Sequence, residues 1–456
     1  MKTTLSRRHF LQSTAAAGLG LSALGASRAR AASPNGKLRV LSIGVVGTIG
    51  GNDRKQVAAH PEAEITGLCD VDSDYLAKAA KDHPSAFTCA DYREAFAKHA
   101  DKFDAVIVAV PDHSHAPILL TAMDHHKHVY GQKPLVHELS ELAMVEQALK
   151  ARPKLVTQLG NQRMAGAGRR AAVEILRQGM LGKAIEAYCW TGSPGPGRYF
   201  NNGKVFKENP VVPPNLDYDL WLGPCPKMPY YDLLAPVKWR SWWDFGTNGL
   251  GDWGCHILDV IFFSYDELMS PVSVKTDCAE PAGKFFHTNP CKSTVVYQVK
   301  SGQFTGPTFP IHYYDSNQQP TPEQMRIPEP LKGGNIMAMV CEKGTLVLEA
   351  DGRPIIWRDG KKEEGMRLPG LPEFPRLNHW HAWVDTCLGK KTELRTPFKD
   401  AVRITEAVLL TVKASRFPGQ ELLWDKTKLA FSNNKEATDT VVRRQYRDGF
   451  APPRVV

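Results

Sequence analysis

Between residues 38 and 160, short apolar runs alternate with amphipathic stretches, and this alternation restricts the possible fold more than any other feature of the chain. Residues 38–46, 64–68, 105–110, 129–130 and 155–160 read as strands. Residues 75–81, 117–125 and 140–151 read as helices, the last with Ser140 as its cap. Strands separated by helices pair in parallel through right-handed crossovers, so a doubly wound sheet is expected over 35–160. After Gly160 the pattern changes. One helix over 168–178 precedes strand-like stretches at 184–190, 293–300, 303–314 and 344–350, and another helix covers 397–417. The expectation for 161–456 is an α+β domain with a large, mainly antiparallel open sheet and helices on one face. Within it, the Gly-, Pro- and aromatic-rich segment 193–238 is long enough to carry function.

The first thirty-one residues stand apart. Arg7-Arg8, a weakly apolar Ala/Gly/Ser run over 14–26 and Ala29-Arg30-Ala31 form a twin-arginine export signal with its cleavage site. A membrane anchor would need about 20 strongly apolar residues, so no stable membrane insertion is expected. The expected partner is the twin-arginine export machinery, and the expected location is the periplasm. Lys2, Arg7, Arg8, Arg28 and Arg30 carry five of the positive charges behind the net +9, so the mature chain stands at +4, which removes compositional support for nucleic-acid binding. Nine cysteines lie scattered without a C-x-x-C pair, which argues against a zinc site or a disulfide lattice; most read as small buried hydrophobes.

The first strand runs into Gly44-Val-Val-Gly47-Thr48-Ile49-Gly50-Gly51-Asn52, where a dinucleotide fold needs glycines for a tight turn and for close approach of a pyrophosphate to a helix N-terminus. With Gly47 taken as the first glycine, Ile49 stands where the second would be. Asp70 ends the second strand, where a carboxylate can accept hydrogen bonds from an adenosine ribose; the alternative is an ordinary strand-end residue. An acid there favours NAD and leaves NADP open. The later strand ends carry Pro111-Asp112-His113-Ser114-His115 and Gly131-Gln132-Lys133-Pro134; Lys133 can bond a sugar hydroxyl or be a solvated surface lysine.

The densest signal is Asp252-Trp-Gly-Cys-His256-Ile-Leu-Asp259. On a helix, Asp252, His256 and Asp259 share one face. Hydride loss from a carbinol carbon requires loss of its hydroxyl proton, a task suited to an imidazole that Asp252 orients or charge-balances. A satisfied structural network is the alternative. A metal is not expected, because no third strong ligand accompanies the pair. Trp221, Tyr230, Tyr231 and 239–245 resemble a sugar-stacking wall, or core. His379 and His381 alternate rather than share a helix face and read as structural.

These motifs resemble the Gfo/Idh/MocA oxidoreductases, in particular an exported bacterial branch with a twin-arginine leader. The likeness rests on Gly44-Val-Val-Gly47, Cys69-Asp70-Val71-Asp72, Pro111 to His115, Gln132-Lys133-Pro134, Gly160-Asn161-Gln162, Trp239-Arg240 and Asp252 to His256. It implies a Rossmann domain, homo-oligomerisation and a catalytic set of Lys133, Asp252 and His256. It also implies that Gly44, Gly47, Thr48, Ile49, Gly50, Asp70, Pro111, His115, Gln132, Lys133, Asn161 and Arg240 hold the cofactor. Gln132 replaces the family's usual glutamate. A periplasm has no appreciable pool of free nicotinamide nucleotide, so an exported member must carry NAD (or NADP) out tightly bound and regenerate it in place. The expected activity is oxidation of a carbohydrate, either a sugar or a sugar derivative. An NAD-dependent glycosidase resembling glycoside hydrolase family 109, and a non-catalytic carbohydrate-binding protein, are the alternatives.

Overall fold

The computed structural model describes residues 36–192, 210–231, 234–235, 238–288, 290–349 and 352–454. The expected leader, and 193–209 of the segment expected to carry function, lie outside the described residues. No helix among the described residues is long and apolar enough to cross a membrane.

Six strands form the first sheet: β1 (Leu38–Ile43), β2 (Ala63–Cys69), β3 (Phe87–Cys89), β4 (Ala105–Val108), β5 (His128–Gly131) and β6 (Thr157–Leu159). All pair in parallel in the order β3-β2-β1-β4-β5-β6, the doubly wound arrangement that strand and helix alternation predicts. β4 reads Ala-Val-Ile-Val and is buried on both faces, as a central parallel strand must be. The helices are α1 (Gly50–Ala58), α2 (Ser73–Asp82), α3 (Tyr92–His99), α4 (His115–Asp124) and α5 (Leu139–Ala151). Asp72 and Asp91 cap α2 and α3 by accepting first-turn N–H groups. Ser140 does not cap α5. That helix starts one residue earlier, and the Glu141 carboxylate reaches back to accept the Glu138 N–H (2.9 Å) and the His137 N–H (3.1 Å).

Among the described residues the second sheet has ten strands, in the order β14-β13-β12-β11-β7-β10-β9-β8-β15-β16. In chain order they are β7 (Ala184–Trp190), β8 (Pro271–Cys278), β9 (Cys291–Gln298), β10 (Thr308–Tyr314), β11 (Ile336–Cys341), β12 (Gly344–Leu348), β13 (Pro354–Arg358), β14 (Lys361–Glu364), β15 (Glu421–Asp425) and β16 (Ala430–Phe431). Only β7 and β10 pair in parallel. The strand expected over 303–314 begins at Thr308, because 301–307, with Gly302, Gly306 and Pro307, forms turns and bends. The domain's helices are α6 (Ala167–Arg177), α7 (Tyr218–Leu222), α8 (Asn248–Ser264), α9 (Pro322–Met325), α10 (His379–Cys387), α11 (Phe398–Ala414) and α12 (Lys435–Val441). α6, α8 and α11 cover one sheet face, and their apolar side chains share a continuous core with α3, α4 and α5 of the first domain.

A division at residue 160 separates the two sheets but not the two cores. Trp383 and Val384 of α10 return to pack with Val57 of α1, Ala79 of α2 and Tyr130 of β5. His379 and His381 therefore sit on one helix. His379 is buried with its Nε2 3.1 Å from the Leu159 carbonyl oxygen, which is a structural contact. Of the nine cysteines, Cys278 and Cys291 form a disulfide between the adjoining ends of β8 and β9, and the other seven are free, six of them buried.

Candidate active site

The site lies where the carboxyl ends of the parallel strands meet α8. After β1 the backbone turns sharply at Gly44, whose φ is +80°; a Cβ there would stand 2.3 Å from the Ala109 carbonyl oxygen. Gly50 opens α1 so close to β1 that a Cβ would meet the Gly44 carbonyl oxygen at 2.1 Å. Gly47, between them, has open space where a side chain would stand, leaving its backbone approachable. The glycines thus fall three residues apart, starting at Gly44. Ile49 is not a lost glycine: it is the residue preceding α1 and lines the cleft beside Thr48. This cradle at a helix N-terminus fits a dinucleotide pyrophosphate. Gly50 serves it by close packing and does not itself line the cleft.

The Asp70 carboxylate ties the turn to β2, accepting the Val45 N–H (2.9 Å) and the Asp72 N–H (3.0 Å). Burial raises its pKa to about 6 against the pull of those hydrogen bonds. With Asp72 and Asp91 it gives one end of a cleft of about 1140 Å³ an acidic wall. Among the described residues that line this cleft, Arg240 is the only basic one. The second domain roofs it. Leu216 bridges to Asp72, Asn215 donates to the Asp72 carboxylate at 2.9 Å, and Trp221 and Phe450 line the opposite wall. Pro111 lines the cleft as well.

A second cleft of about 740 Å³ adjoins the first, sharing Thr48, Ile49, Val110, Trp239 and Arg240. It contains Lys133, Asp252 and His256 together. Lys133 is not a solvated surface lysine. Its side chain is 14% exposed, and its Nζ donates to the Asp252 carboxylate and, at 3.0 Å, to the Asp252 carbonyl oxygen. Arg240 completes the pair, with Nε 3.3 Å from the other Asp252 oxygen, and stacks over Trp239 at 4.3 Å. Asp112 is buried nearby and accepts from Thr247 Oγ1 at 2.7 Å; burial pushes its pKa up to about 7, opposed chiefly by Lys133.

Asp252, His256 and Asp259 do share one face of α8, but Asp252 does not hydrogen-bond the imidazole. Asn161 does. Its Nδ2 donates to the Cys255 carbonyl oxygen (2.8 Å) and to Asp259 (3.1 Å), which turns its oxygen towards His256 Nδ1. Nδ1 must therefore carry the proton, leaving Nε2 with a free lone pair. Arg169 anchors the chain by pairing with Asp259 and donating to the His256 carbonyl oxygen at 2.8 Å. Burial, reinforced by the charges of Lys133, Arg163 and Arg169, drives the His256 pKa well below its ordinary value, so the ring is neutral at neutral pH.

Two residues expected to hold the cofactor make contacts within the fold. Asn161 is fully buried, lines neither cleft and positions His256. His115 is buried with Nδ1 2.7 Å from the Pro134 carbonyl oxygen and Nε2 2.9 Å from that of Val110, so it ties the β4 end to the Lys133 turn. Gln132 lines the second cleft and spends its amide on Asp53 of α1 at 2.7 Å. A glutamate there would face that buried carboxylate directly. Of the aromatic residues read as a sugar wall, Trp221, Tyr230, Trp239, Trp242 and Phe245 form a core cluster, and only Trp221 and Trp239 among them also reach the clefts. Thr247, Arg163 and Trp253 were not singled out in the sequence; each sits next to a recognised motif residue in the chain or in space.

A parallel sheet with a glycine cradle, joined to an antiparallel sheet that supplies an acid–histidine helix, defines a two-domain dinucleotide-binding fold of the oxidoreductase type. Two family models match: "Oxidoreductase family, NAD-binding Rossmann fold" over residues 38–159 and "Oxidoreductase family, C-terminal alpha/beta domain" over 169–288. The chain belongs to the Gfo/Idh/MocA oxidoreductase family. Inositol 2-dehydrogenase 3 of Saccharopolyspora erythraea is 32% identical over 172 residues, 37% of this chain and 50% of that protein. The chain thus spans about half the length of the curated relatives it matches. Among solved structures, the WlbA dehydrogenase from Bordetella pertussis, in complex with NADH and UDP-GlcNAcA, has a TM-score of 0.60 at 14% identity, over 85% of this chain and 99% of that one. The aldose-aldose oxidoreductase from Caulobacter crescentus gives 0.57 at 15% identity, over 85% and 100%. Those two likenesses concern the fold.

Proposed function

We propose that this protein is a periplasmic oxidoreductase that oxidises a sugar or sugar derivative with a tightly held NAD, and that it is exported folded through the twin-arginine pathway. The observation that carries the reading is the meeting of His256, Lys133 and Asp252 in a cleft continuous with the glycine cradle. NAD held by the Gly44–Gly47 cradle and the Asp70 end of the cleft would supply reversible two-electron hydride chemistry.

The protein's own groups handle the proton and the charge. His256 Nε2 takes the hydroxyl proton, and the low basicity of the buried ring favours handing it back when a carbonyl is reduced. Lys133 uses two of its three N–H donors on Asp252 and has the third for the oxygen that develops negative charge. Asp252 pairs with both Lys133 and Arg240, one on each carboxylate oxygen, which offsets part of the cost of holding two cations in a buried site and leaves the triad at a net single positive charge.

Asp70, Asp72 and Asp91 at the far end of the first cleft favour a free ribose 2′-hydroxyl over a 2′-phosphate, hence NAD over NADP. The roof over that cleft supports retention. The Cys278–Cys291 disulfide supports residence in an oxidising compartment. A retained cofactor needs a closed redox cycle, in which one sugar is oxidised and another, or the same one, is reduced. The test is to add a panel of sugars to the purified protein and follow the reduced nicotinamide spectrum, with His256→Ala alongside. Reduction that falls about 10²- to 10⁴-fold in the variant is expected. No spectral change with any sugar, and no aglycone release from glycosides, would remove the enzyme reading.

A further inference from the structure

We propose that the substrate carries a carboxylate, and that Arg163 is the residue that selects it. This rests on the sugar-oxidoreductase reading and names the substrate class for the same site.

The reaction cleft is lined by three cations and two carboxylates: Lys133, Arg163 and Arg240 against Asp112 and Asp252. Lys133 and Arg240 share the single negative charge of Asp252, so the cleft is already net positive before Arg163 is counted. Asp112 is held by Thr247 with its pKa at about 7, so it is only partly ionised at neutral pH. Arg163 is left over. Among the described residues its side chain has no hydrogen bond or ion pair, and its Nη1 is buried without a partner. What fixes the guanidinium is the indole of Trp253, 5.3 Å from ring centre to Cζ, an aromatic shelf that orients the planar group without using its donors.

The neighbourhood offers no internal acid to spare. Asp259 acts on Arg163 at a distance, but its oxygens are taken by Arg169, Asn161 and the Val260 N–H. A half-buried guanidinium held against an indole, with its donor fork unused and a second guanidinium, Arg169, acting on it as a like charge, is costly unless a ligand completes it. Guanidinium geometry matches a carboxylate bidentately, which fixes orientation as well as charge. Because Arg163 and His256 line the same cleft, the carboxylate of a uronic or aldonic acid bound at Arg163 leaves a ring or chain hydroxyl for His256 Nε2.

The experiment measures binding and turnover of D-glucuronate and D-glucose by the nucleotide-loaded full chain, in wild type, Arg163→Gln and Arg163→Lys. Binding is read by calorimetry, so charge preference is measured even if neither sugar turns over; a silent spectrum with retained preference would indict the oxidoreductase reading and leave this one standing. Wild type should favour glucuronate by about ten- to a hundredfold, since a charge-assisted hydrogen-bonded pair is what separates the two ligands. Arg163→Gln should abolish the preference, read chiefly as a rise in KM for glucuronate, while retaining nucleotide and circular dichroism. Arg163→Lys should keep part of it. Equal or better binding of glucose by wild type, no measurable binding of either sugar, or a glucuronate preference that survives in Arg163→Gln, would overturn the assignment.

Discussion

Replacing Asn161 with alanine should disable the candidate base without touching a cofactor or substrate contact. The substitution deletes three hydrogen bonds, those to His256 Nδ1, the Cys255 carbonyl oxygen and Asp259. Asp259 keeps other partners, so two buried polar groups lose theirs at about 1–3 kcal/mol each, and about 2–6 kcal/mol of stability should go. Arg169 and the Val260 N–H still hold Asp259, and that should keep the fold intact. The kinetic cost is separate. Once Nδ1 has no acceptor, the ring is free to put its proton on Nε2, where the lone pair was. General-base catalysis contributes about 10²–10⁴, and most of it is forfeited in the wrong tautomer. We expect kcat for reduction of the retained nucleotide to fall about 10²-fold or more with KM nearly unchanged. Nitrogen NMR of labelled histidine should show the His256 tautomer shifting. Asn161→Asp supplies a check with the opposite electrostatics. It still accepts from Nδ1, but its carboxylate should raise the His256 pKa and move the acid limb of the pH profile upward. Wild-type kcat in Asn161→Ala, or an unchanged tautomer, would refute the positioning argument.

Three further outcomes follow from the same geometry. The neutral His256 ring is lost only as pH falls through its depressed pKa, so kcat/KM should hold well below pH 6.5 before its acid limb, measured with and without His256→Ala. Ionisation of Asp112 as pH rises through about 7 adds negative charge beside Lys133; a second limb near neutrality should vanish in Asp112→Asn. The Arg93 and Arg447 guanidiniums both pack on Phe450, at 4.0 and 4.4 Å from its ring, so Phe450→Ala should loosen the roof and speed nucleotide release about tenfold in a chase with labelled NAD.

The parallel sheet was legible because a fully buried strand such as β4 advertises itself as a short apolar run, and because the intervening helices carry their own period. β3 and α3 were not singled out: three residues make too short a run, and only Ala95 and Phe96 of α3 are fully buried. The helix face of Asp252, His256 and Asp259 could be read from local spacing alone. Its wiring could not, since Asn161 reaches His256 across 95 residues and Lys133 reaches Asp252 across 119. A polar residue two positions after β6, at Asn161, was the available signal. Ile49 misled because motif spacing was counted from Gly47, whereas the tight turn is made by Gly44, whose positive φ no sequence pattern reports. For His115, a cofactor ligand and a structural tie look alike in a strand-end motif until the carbonyls facing it are known.

The most direct test of the account is the mass and absorption spectrum of the small molecule released when the purified, folded protein is denatured. The account predicts NAD or its reduced form at close to one per chain, retained through gel filtration. A chain that releases no dinucleotide, and binds neither NAD nor NADP when they are added, would contradict it.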